Sequence, residues 1–293
     1  MRKKIKRENP IVHNAKCKMC GREMVLHFKV WENYYLYKCP YCSFEQIWMD
    51  DDTERTIYTA DYFENSKYKD TVALNLEHKR RLGILLKYVL KDERIMDYGC
   101  ASGEFVNYAG REFEIYGCDV SSDAIESAKE RFSQYKNRFY TTKELAKSAE
   151  HFSCICLWDV IEHIEYPNEL IRNLRKMLKE DGLMILSTPD VGAFFSKITR
   201  AHWPFMTPPE HLCFFSKKSM YYFARKNGFE ICRWFARGKW ANLGFLMYKF
   251  NKTSSVKIPQ RVINAFNKGW LASLRMYVPT HDVQYVVLRK NKR

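Results

Sequence analysis

What the chain lacks narrows it first. It has no uninterrupted apolar run of the roughly 20 residues a bilayer span needs. The N-terminus, Met1-Arg-Lys-Lys-Ile-Lys-Arg7, is basic, but no apolar stretch comes after it, so it does not read as a secretory signal. The ten cysteines are then expected to be reduced thiols of a cytoplasmic protein, some of them metal-bound, and not a disulfide framework. Acids are scarce: 34 Asp and Glu stand against 49 Lys and Arg, a formal net charge of +15. The dinucleotide fingerprint Gly-x-Gly-x-x-Gly is absent too, which weighs against a nicotinamide-binding turn.

What is present fits one α/β domain of ordinary size plus one small module in 293 residues. The charge is unevenly spread. From Trp234 to Arg293 there are twelve Lys or Arg and one acid, Asp282, so +11 falls in that stretch. It is also rich in Trp, Phe and Tyr. Basic residues among aromatics suit a phosphate-bearing partner: RNA, a nucleotide sugar, or a lipid-linked phosphate reached by peripheral membrane contact. The extreme tails, Arg2 to Arg7 and Arg289 to Arg293, read as solvated surface.

Cys17-x-x-Cys20 and Cys39-x-x-Cys42 are separated by eighteen residues, a standard four-cysteine zinc spacing. Each Cys-x-x-Cys makes a turn that aims two thiolates at one ion. Gly21 and Pro40 suit such turns, and Val25 to Val30 and Tyr34 to Lys38 read as short strands, which predicts a zinc ribbon over residues 1–50. Four cysteine ligands leave no position for substrate, so the Zn2+ is expected to be structural. The acidic, polar stretch Asp50 to Arg55 marks the expected boundary with a second domain, 51–293.

Arg94 to Asp97 is a short apolar run ending in an acid. Gly99, Ala101 and Gly103 come next at alternating positions, and then an amphipathic segment begins. This predicts a buried strand, a tight turn and a helix N-terminus. A second strand, Glu114 to Asp119, also ends in an acid, placed where a ribose is held in dinucleotide folds. Its helix starts near Ser121 or Ser122, with Ile125, Ala128 and Phe132 on one face.

The segment Asp97-Tyr-Gly99-Cys-Ala101-Ser-Gly103 resembles the first motif of the class I S-adenosylmethionine-dependent methyltransferases, Asp/Glu-x-Gly-x-Gly-x-Gly, with alanine at the middle glycine. The resemblance covers roughly residues 55–293. It implies a Rossmann-like α/β fold, a seven-stranded sheet with helices on both faces. It implies that Asp97, Gly99, Cys100, Ala101 and Gly103 hold the amino-acid end of the cofactor, and that Asp119 and its neighbour Val120 hold the ribose. Relatives often place an acid after the third strand, expected here over Asn137 to Thr141. Thr141-Thr-Lys-Glu stands there, so no adenine contact is assigned. The aromatic segment Tyr58-x-x-x-Tyr62-Phe63 suits a cofactor lid or plain packing. Leu82, Leu85, Leu86, Val89 and Leu90 form a helical packing stripe.

Phe152 to Asp159 is the expected fourth strand, and Val-Ile-Glu162-His163 comes after it. On a helix Asp159, Glu162 and His163 would share one face. The stretch resembles the Asp/Glu-x-x-Glu-His segment of the ubiquinone-biosynthesis O-methyltransferase type and of many sugar methyltransferases, where it lies at the active site, with Asp159 beside the cofactor. His163 suits a general base. Glu162 and His163 also suit a divalent metal that polarises an acceptor oxygen, or a hydrogen-bonding cluster that only shapes the pocket.

Asn168 is expected to cap a helix buried through Leu170, Ile171, Leu174, Met177 and Leu178 and ended by Asp181-Gly182. Leu183 to Thr188 is the expected fifth strand, broken by Pro189-Asp190. Glu210-His211-Leu-Cys-Phe-Phe-Ser216 again resembles the family's segment bordering the substrate cleft, which makes His211 a second candidate base beside its reading as a structural loop histidine. Ser216 suits a helix N-cap and Asn227-Gly228 a stop. Phe229 to Arg233 and Val283 to Leu288 are the expected last strands. Between them, at about 238–280, lies a basic insertion with helical stretches near 242–250 and 259–274, read as the element that selects the acceptor or closes the sheet edge.

Three functions fit. One is a methyltransferase acting on an oxygen or carbon of a small acceptor, a sugar or phosphate-bearing precursor of a cell-surface polysaccharide. Another is an RNA methyltransferase that grips RNA with the ribbon and basic patch. No Asp/Asn-Pro-Pro-Tyr stands after the fourth strand and no Pro-Cys pair occurs, which disfavours base-amine and pyrimidine-carbon methylation. The last is a non-enzymatic zinc-ribbon binding module that senses the cofactor.

Overall fold

Two sheets organise the described residues. The structure, a computed structural model, describes residues 15–31, 34–49, 71–148, 151–244, 246–247, 251, 256–266 and 275–292. The expected domain boundary at Asp50 to Arg55, the aromatic segment Tyr58 to Phe63 and the basic stretch Arg2 to Arg7 lie outside them.

The smaller sheet is antiparallel, ordered β1 (Val25–Trp31), β2 (Tyr34–Lys38), β3 (Glu45–Met49) and β9 (Cys213–Phe214). Its fourth strand comes from far along the chain. Glu45 pairs with Phe214 and Gln46 with Cys213. The cysteine-bearing module therefore shares a sheet, and a core, with the later part of the chain: Phe44 meets Phe215 edge-on at 5.2 Å.

The larger sheet has seven strands. Their order is β10 (Phe229–Asn242), β11 (Arg275–Lys290), β8 (Leu178–Pro189), β7 (Phe152–Trp158), β4 (Arg94–Tyr98), β5 (Glu114–Asp119) and β6 (Phe139–Thr141). The strands from β8 to β6 run parallel, and β11 is antiparallel to both its neighbours. Strand order reverses between β4 and β7, and open α/β sheets bind ligands beyond the strand C-termini at such a point. Parallel strands are covered on both faces and read as continuous apolar runs, as in Phe152-Ser-Cys-Ile-Cys-Leu-Trp158, of which only Ser153 is not buried. The helices are α1 (Thr71–Tyr88), α2 (Glu104–Ala109), α3 (Ser122–Arg131), α4 (Thr142–Leu145), α5 (Pro167–Lys176), α6 (Phe194–Thr199), α7 (Lys217–Lys226) and α8 (Gln260–Phe266). Ser121 and Ser216 cap α3 and α7 through their hydroxyls.

Several local expectations change. Asn168 does not cap α5. Tyr166 is the cap and Pro167 opens the helix, while the buried Asn168 amide donates to the carbonyls of Lys18 and Met19 at 3.0 Å each. Leu178 starts β8 instead of ending α5, and Asp181-Gly182 lies within that strand, where its register on β7 jumps from Leu178 to Leu183. The third strand begins at Phe139, because Asn137 and Arg138 close a 3-10 turn. The last two strands are much longer than expected, so 238–242 and 275–280 belong to a hairpin and not to a helical insertion. Of the two helical stretches, α8 is described. The other is seen only at 243–244 and 246–247, with 245 and 248–250 outside the described residues.

Candidate functional site

β4 delivers Asp97, which is buried, and the chain then turns through three left-handed residues: Gly99 (φ 84°), Ala101 (φ 47°) and Gly103 (φ 80°). Glycine is required at 99 for space as well as for φ. A Cβ there would lie 2.5 Å from a Val160 methyl. The same contact puts the turn after β7 against the glycine loop. Ala101 tolerates its φ at a cost of about 1 kcal/mol. The backbone N–H groups of Gly99 and Cys100 both donate to the Cys118 carbonyl, which ties the loop to β5.

Asp119, at the end of β5, accepts from Ala101 N at 2.9 Å through one carboxylate oxygen and from Ser121 N at 3.0 Å through the other. It thus joins the glycine loop to the start of α3. Val120, beside it, is exposed. Burial pushes the Asp97 carboxyl up to about 7, against the pull of nearby Arg81 and with a further push from Asp119.

Asp159 does not begin a helix. It sits beyond β7 at φ 57°, and its side chain is locked by three partners. Ser187 Oγ donates at 2.9 Å, Arg81 approaches at 3.3 Å and Lys239 at 3.5 Å. Burial opposes ionisation, but Lys239 and Arg81 outweigh it and hold the carboxyl below the usual range. Neither cation stands out in the sequence. Arg81 lies on α1, one turn before the buried Leu85; of the expected packing stripe, Leu86 and Leu90 are 47% and 70% exposed, and the helix ends at Tyr88. Lys239 is aimed by a bulge between Arg237 and Lys239, where a Cβ on Gly238 would lie 1.8 Å from the Val278 carbonyl oxygen.

Glu162 and His163 lie in a single 3-10 turn, Ile161–His163. His163 Nδ1 donates to the Glu210 carbonyl at 2.8 Å, and His211 Nδ1 to the Phe205 carbonyl at 2.6 Å. A carbonyl only accepts, so in each neutral ring Nε2 carries the lone pair. The rings meet edge-on at 4.7 Å. Glu162 is 1% exposed, and its Oε2 is buried without a hydrogen-bond partner. Burial, then the charge of Asp159, raises its carboxyl to about 8. One ligand atom from each of Glu162, His163 and His211 lies within 4.8 Å of the others. The sequence points to all three but gives no sign that residues 48 positions apart meet.

The four cysteines also converge. Cys17 Sγ lies 3.6 Å from Cys42 Sγ, and Cys20 Sγ 3.5 Å from Cys39 Sγ. Tetrahedral thiolates about 2.3 Å from zinc would be ~3.8 Å apart, so the set fits a closed ZnS4 site. All four are free thiols.

The family model described as a methyltransferase domain matches residues 62–233, more than half of the chain. The protein belongs to this methyltransferase family, and its fold is that of the class I S-adenosylmethionine-dependent enzymes. Among curated proteins it is similar to a ubiquinone biosynthesis O-methyltransferase of Glaesserella parasuis, at 30% identity over 33% of this chain and 45% of that one. It is also similar to one of Cereibacter sphaeroides, at 31% over 38% and 47%. The chain thus spans about half the length of the curated relatives it matches. Among solved structures, a SAM-dependent methyltransferase from Archaeoglobus fulgidus aligns at TM-score 0.51 and 18% identity, over 79% of this chain and all of the other. An S-adenosylmethionine-dependent methyltransferase from Clostridium acetobutylicum aligns at 0.51 and 9%, over 79% and 98%. At these identities the two structures speak for the fold alone. No described helix is long and apolar enough to cross a membrane.

Proposed function

We propose that the protein transfers a methyl group from S-adenosylmethionine to an oxygen or carbon of a small, phosphate-bearing acceptor, such as a sugar precursor of a polysaccharide. The observation that carries this is the meeting of Glu162, His163 and His211 one strand over from the glycine loop. Bound S-adenosylmethionine supplies an activated methyl on a sulfonium, so the protein need only align the acceptor and take its proton. Asp97 and the loop Gly99 to Gly103 hold the amino-acid end, with Cys100 and Ala101 presenting backbone. Asp119, with Val120 at the rim, holds the ribose. Asp159 acts by fixing Arg81 and Lys239 at the rim. His163 and His211, each with Nδ1–H tied to a carbonyl, offer Nε2 as proton acceptor, and Glu162 supports the imidazolium that forms.

A second reading of the same cluster has its own support. Three ligand atoms within 4.8 Å, one of them a carboxylate oxygen of Glu162, whose Oε2 is buried without a hydrogen-bond partner, also fit a divalent ion. That ion would polarise the acceptor oxygen and leave the histidines as ligands. At the cysteine cluster we assign structural Zn2+.

Calorimetric titration with S-adenosylmethionine, and then labelled-methyl transfer to a panel of phosphorylated sugars, tests the proposal. Binding that disappears in Asp119→Ala supports it. No binding to the wild-type protein overturns it.

A further inference from the structure

A second cleft, of about 1140 Å³, opens between the small sheet and the large one. Its walls come from β1 to β3, from the turn and helix after β8, from the start of α7, and from the β10–β11 hairpin. Small-molecule sites run to roughly 1,000 Å³, so the cleft suits a ligand with more than one moiety.

Its charge is one-sided. Lys38 and His27 are both spent on the buried Glu45. Lys197 and Arg200 on one side, and Lys217 and Lys218 in the first turn of α7 on the other, pair with no acid among the described residues. Among the described residues, the only other acid lining the cleft is Asp190, whose Oδ1 already accepts from Gly192 N. Lys197 and Lys217 both lie close enough to act on its carboxyl. Four cations, two of them near Asp190 but none in an ion pair with it among the described residues, line one half-open space and form a receptor for more than one anionic group.

The cations stand among rings. Arg200 lies over Phe28 at 5.0 Å and Lys217 over Trp234 at 4.5 Å. At the mouth Phe194 is 79% exposed, an open ring on which a planar base can stack. Strain marks the place as well. Of the six described non-glycine residues at positive φ, two belong to the proposed methyl-donor site (Ala101, Asp159), and three line this cleft: Ser43 (62°), Arg200 (49°) and His281 (48°). Such conformations persist where a site over-determines them. The cleft also shares a wall with the reacting centre. Trp203 and Met206 line it, and the same loop stacks Phe205 on His211.

We propose that this cleft holds the diphosphate of a nucleoside-diphosphate-linked acceptor, with the base at Phe194 and the reactive end directed along the Trp203–His211 loop. This rests on the methyltransferase reading for its purpose but not for its test.

Full-length protein is titrated separately with UDP, dTDP, GDP, inorganic pyrophosphate, a short single-stranded RNA and S-adenosylmethionine. The expected result is that one nucleoside diphosphate binds at least tenfold tighter than pyrophosphate. The double variant Lys217→Glu, Lys218→Glu should weaken it by at least about tenfold and leave the S-adenosylmethionine Kd unchanged. Arg200→Gly removes the charge but suits the positive φ. It should melt no lower than the wild type yet bind the diphosphate more weakly, which a merely structural role would not produce. Equal binding of pyrophosphate and nucleoside diphosphates overturns the nucleoside assignment. RNA binding lost in the double variant, with no diphosphate binding, overturns the proposal in favour of nucleic acid. S-adenosylmethionine binding without any diphosphate binding overturns the cleft and leaves the methyltransferase reading standing. Diphosphate binding without S-adenosylmethionine does the reverse.

Discussion

Among the described residues, two groups of side chains bring potential metal ligands together, and they differ in what they leave open. The cysteine cluster is closed: four thiols of one kind, presented by two copies of one turn. In the first, Gly21 N donates to the Cys17 carbonyl and Cys17 N to that of Arg22. In the second, Ser43 N donates to the Cys39 carbonyl and Cys39 N to that of Phe44. The Glu162–His163–His211 cluster is mixed and has three members, so an ion there would keep a place for an acceptor. A closed shell contributes folding energy, and an open one can take part in chemistry. One residue, Leu212, links the cysteine-bearing sheet to the turn that carries Glu162. The Leu212 carbonyl accepts from Ile47 N in β3 at 2.9 Å, and Leu212 N donates to the Glu162 carbonyl at 2.8 Å. The closed group therefore braces the open one.

The largest expected effect comes from breaking the closed group. Structural zinc is worth roughly 10 kcal/mol or more of apparent binding energy in small modules. Cys39→Ser should abolish stoichiometric zinc by elemental analysis, lower the melting temperature by ten degrees or more, and remove activity although Cys39 touches no substrate. Full activity in a zinc-free variant would show that the two groups are independent.

Next are changes within the open group. Glu162→Gln and His211→Ala should each lower kcat by about 100-fold or more, the usual scale for a general acid–base group. Zinc content and S-adenosylmethionine affinity should stay as in the wild type. A loss of zinc in either variant would mean that the clusters fold as one unit.

The two groups also differ in how far the sequence announces them. The cysteine pairs, the glycine loop and the acids closing β4 and β5 are local signals. A turn needs its residues within a few positions of one another, so spacing reveals it. The Glu162–His163–His211 cluster needs residues from two segments, and periodicity carries no information on which segments meet. Nothing in Leu-Cys-Phe-Phe says that 213–214 will complete the sheet of residues 25–49. Asn168 reads as a cap because its residue type favours caps. Tertiary contact uses its amide instead to hold Lys18 and Met19. Lys239 gives no signal because its aim is set by a bulge at Gly238, which shows only in the pairing of β10 with β11.

A mild chelator sharpens the comparison at intermediate size. A brief treatment that leaves zinc on the four thiolates should strip an ion from the three-ligand group first. If that group works as a metal site, activity falls about tenfold or more, and a divalent ion restores it. If it works as a base, activity is unchanged. The zinc measurement in the same sample shows which site was emptied.

The smallest effect, and the one that isolates the brace, concerns Ile47. Its N–H is donated across to Leu212, and its side chain packs, 5% exposed, in the cluster around Trp203 and Phe214. Ile47→Pro removes the donor and part of the side chain; Ile47→Ala keeps the donor and removes more of the side chain. Packing loss alone costs about 2 kcal/mol or more in the alanine variant, while the lost hydrogen bond costs ~1 kcal/mol. A ring in a strand paired on both sides costs about 3 kcal/mol or more, so the proline variant should melt below the alanine variant, and kcat is compared well below both melting temperatures. If Leu212 transmits position from β3 to Glu162, kcat at that temperature separates the two variants. Proline should lower it a few-fold, with zinc content and S-adenosylmethionine affinity unchanged, and alanine should leave it near wild type. Equal kcat in the two variants would reduce the link to ordinary packing. A proline variant with wild-type kcat at a temperature where it is fully folded would do the same, because a donor that acts only through stability has no separate effect on the reacting residues.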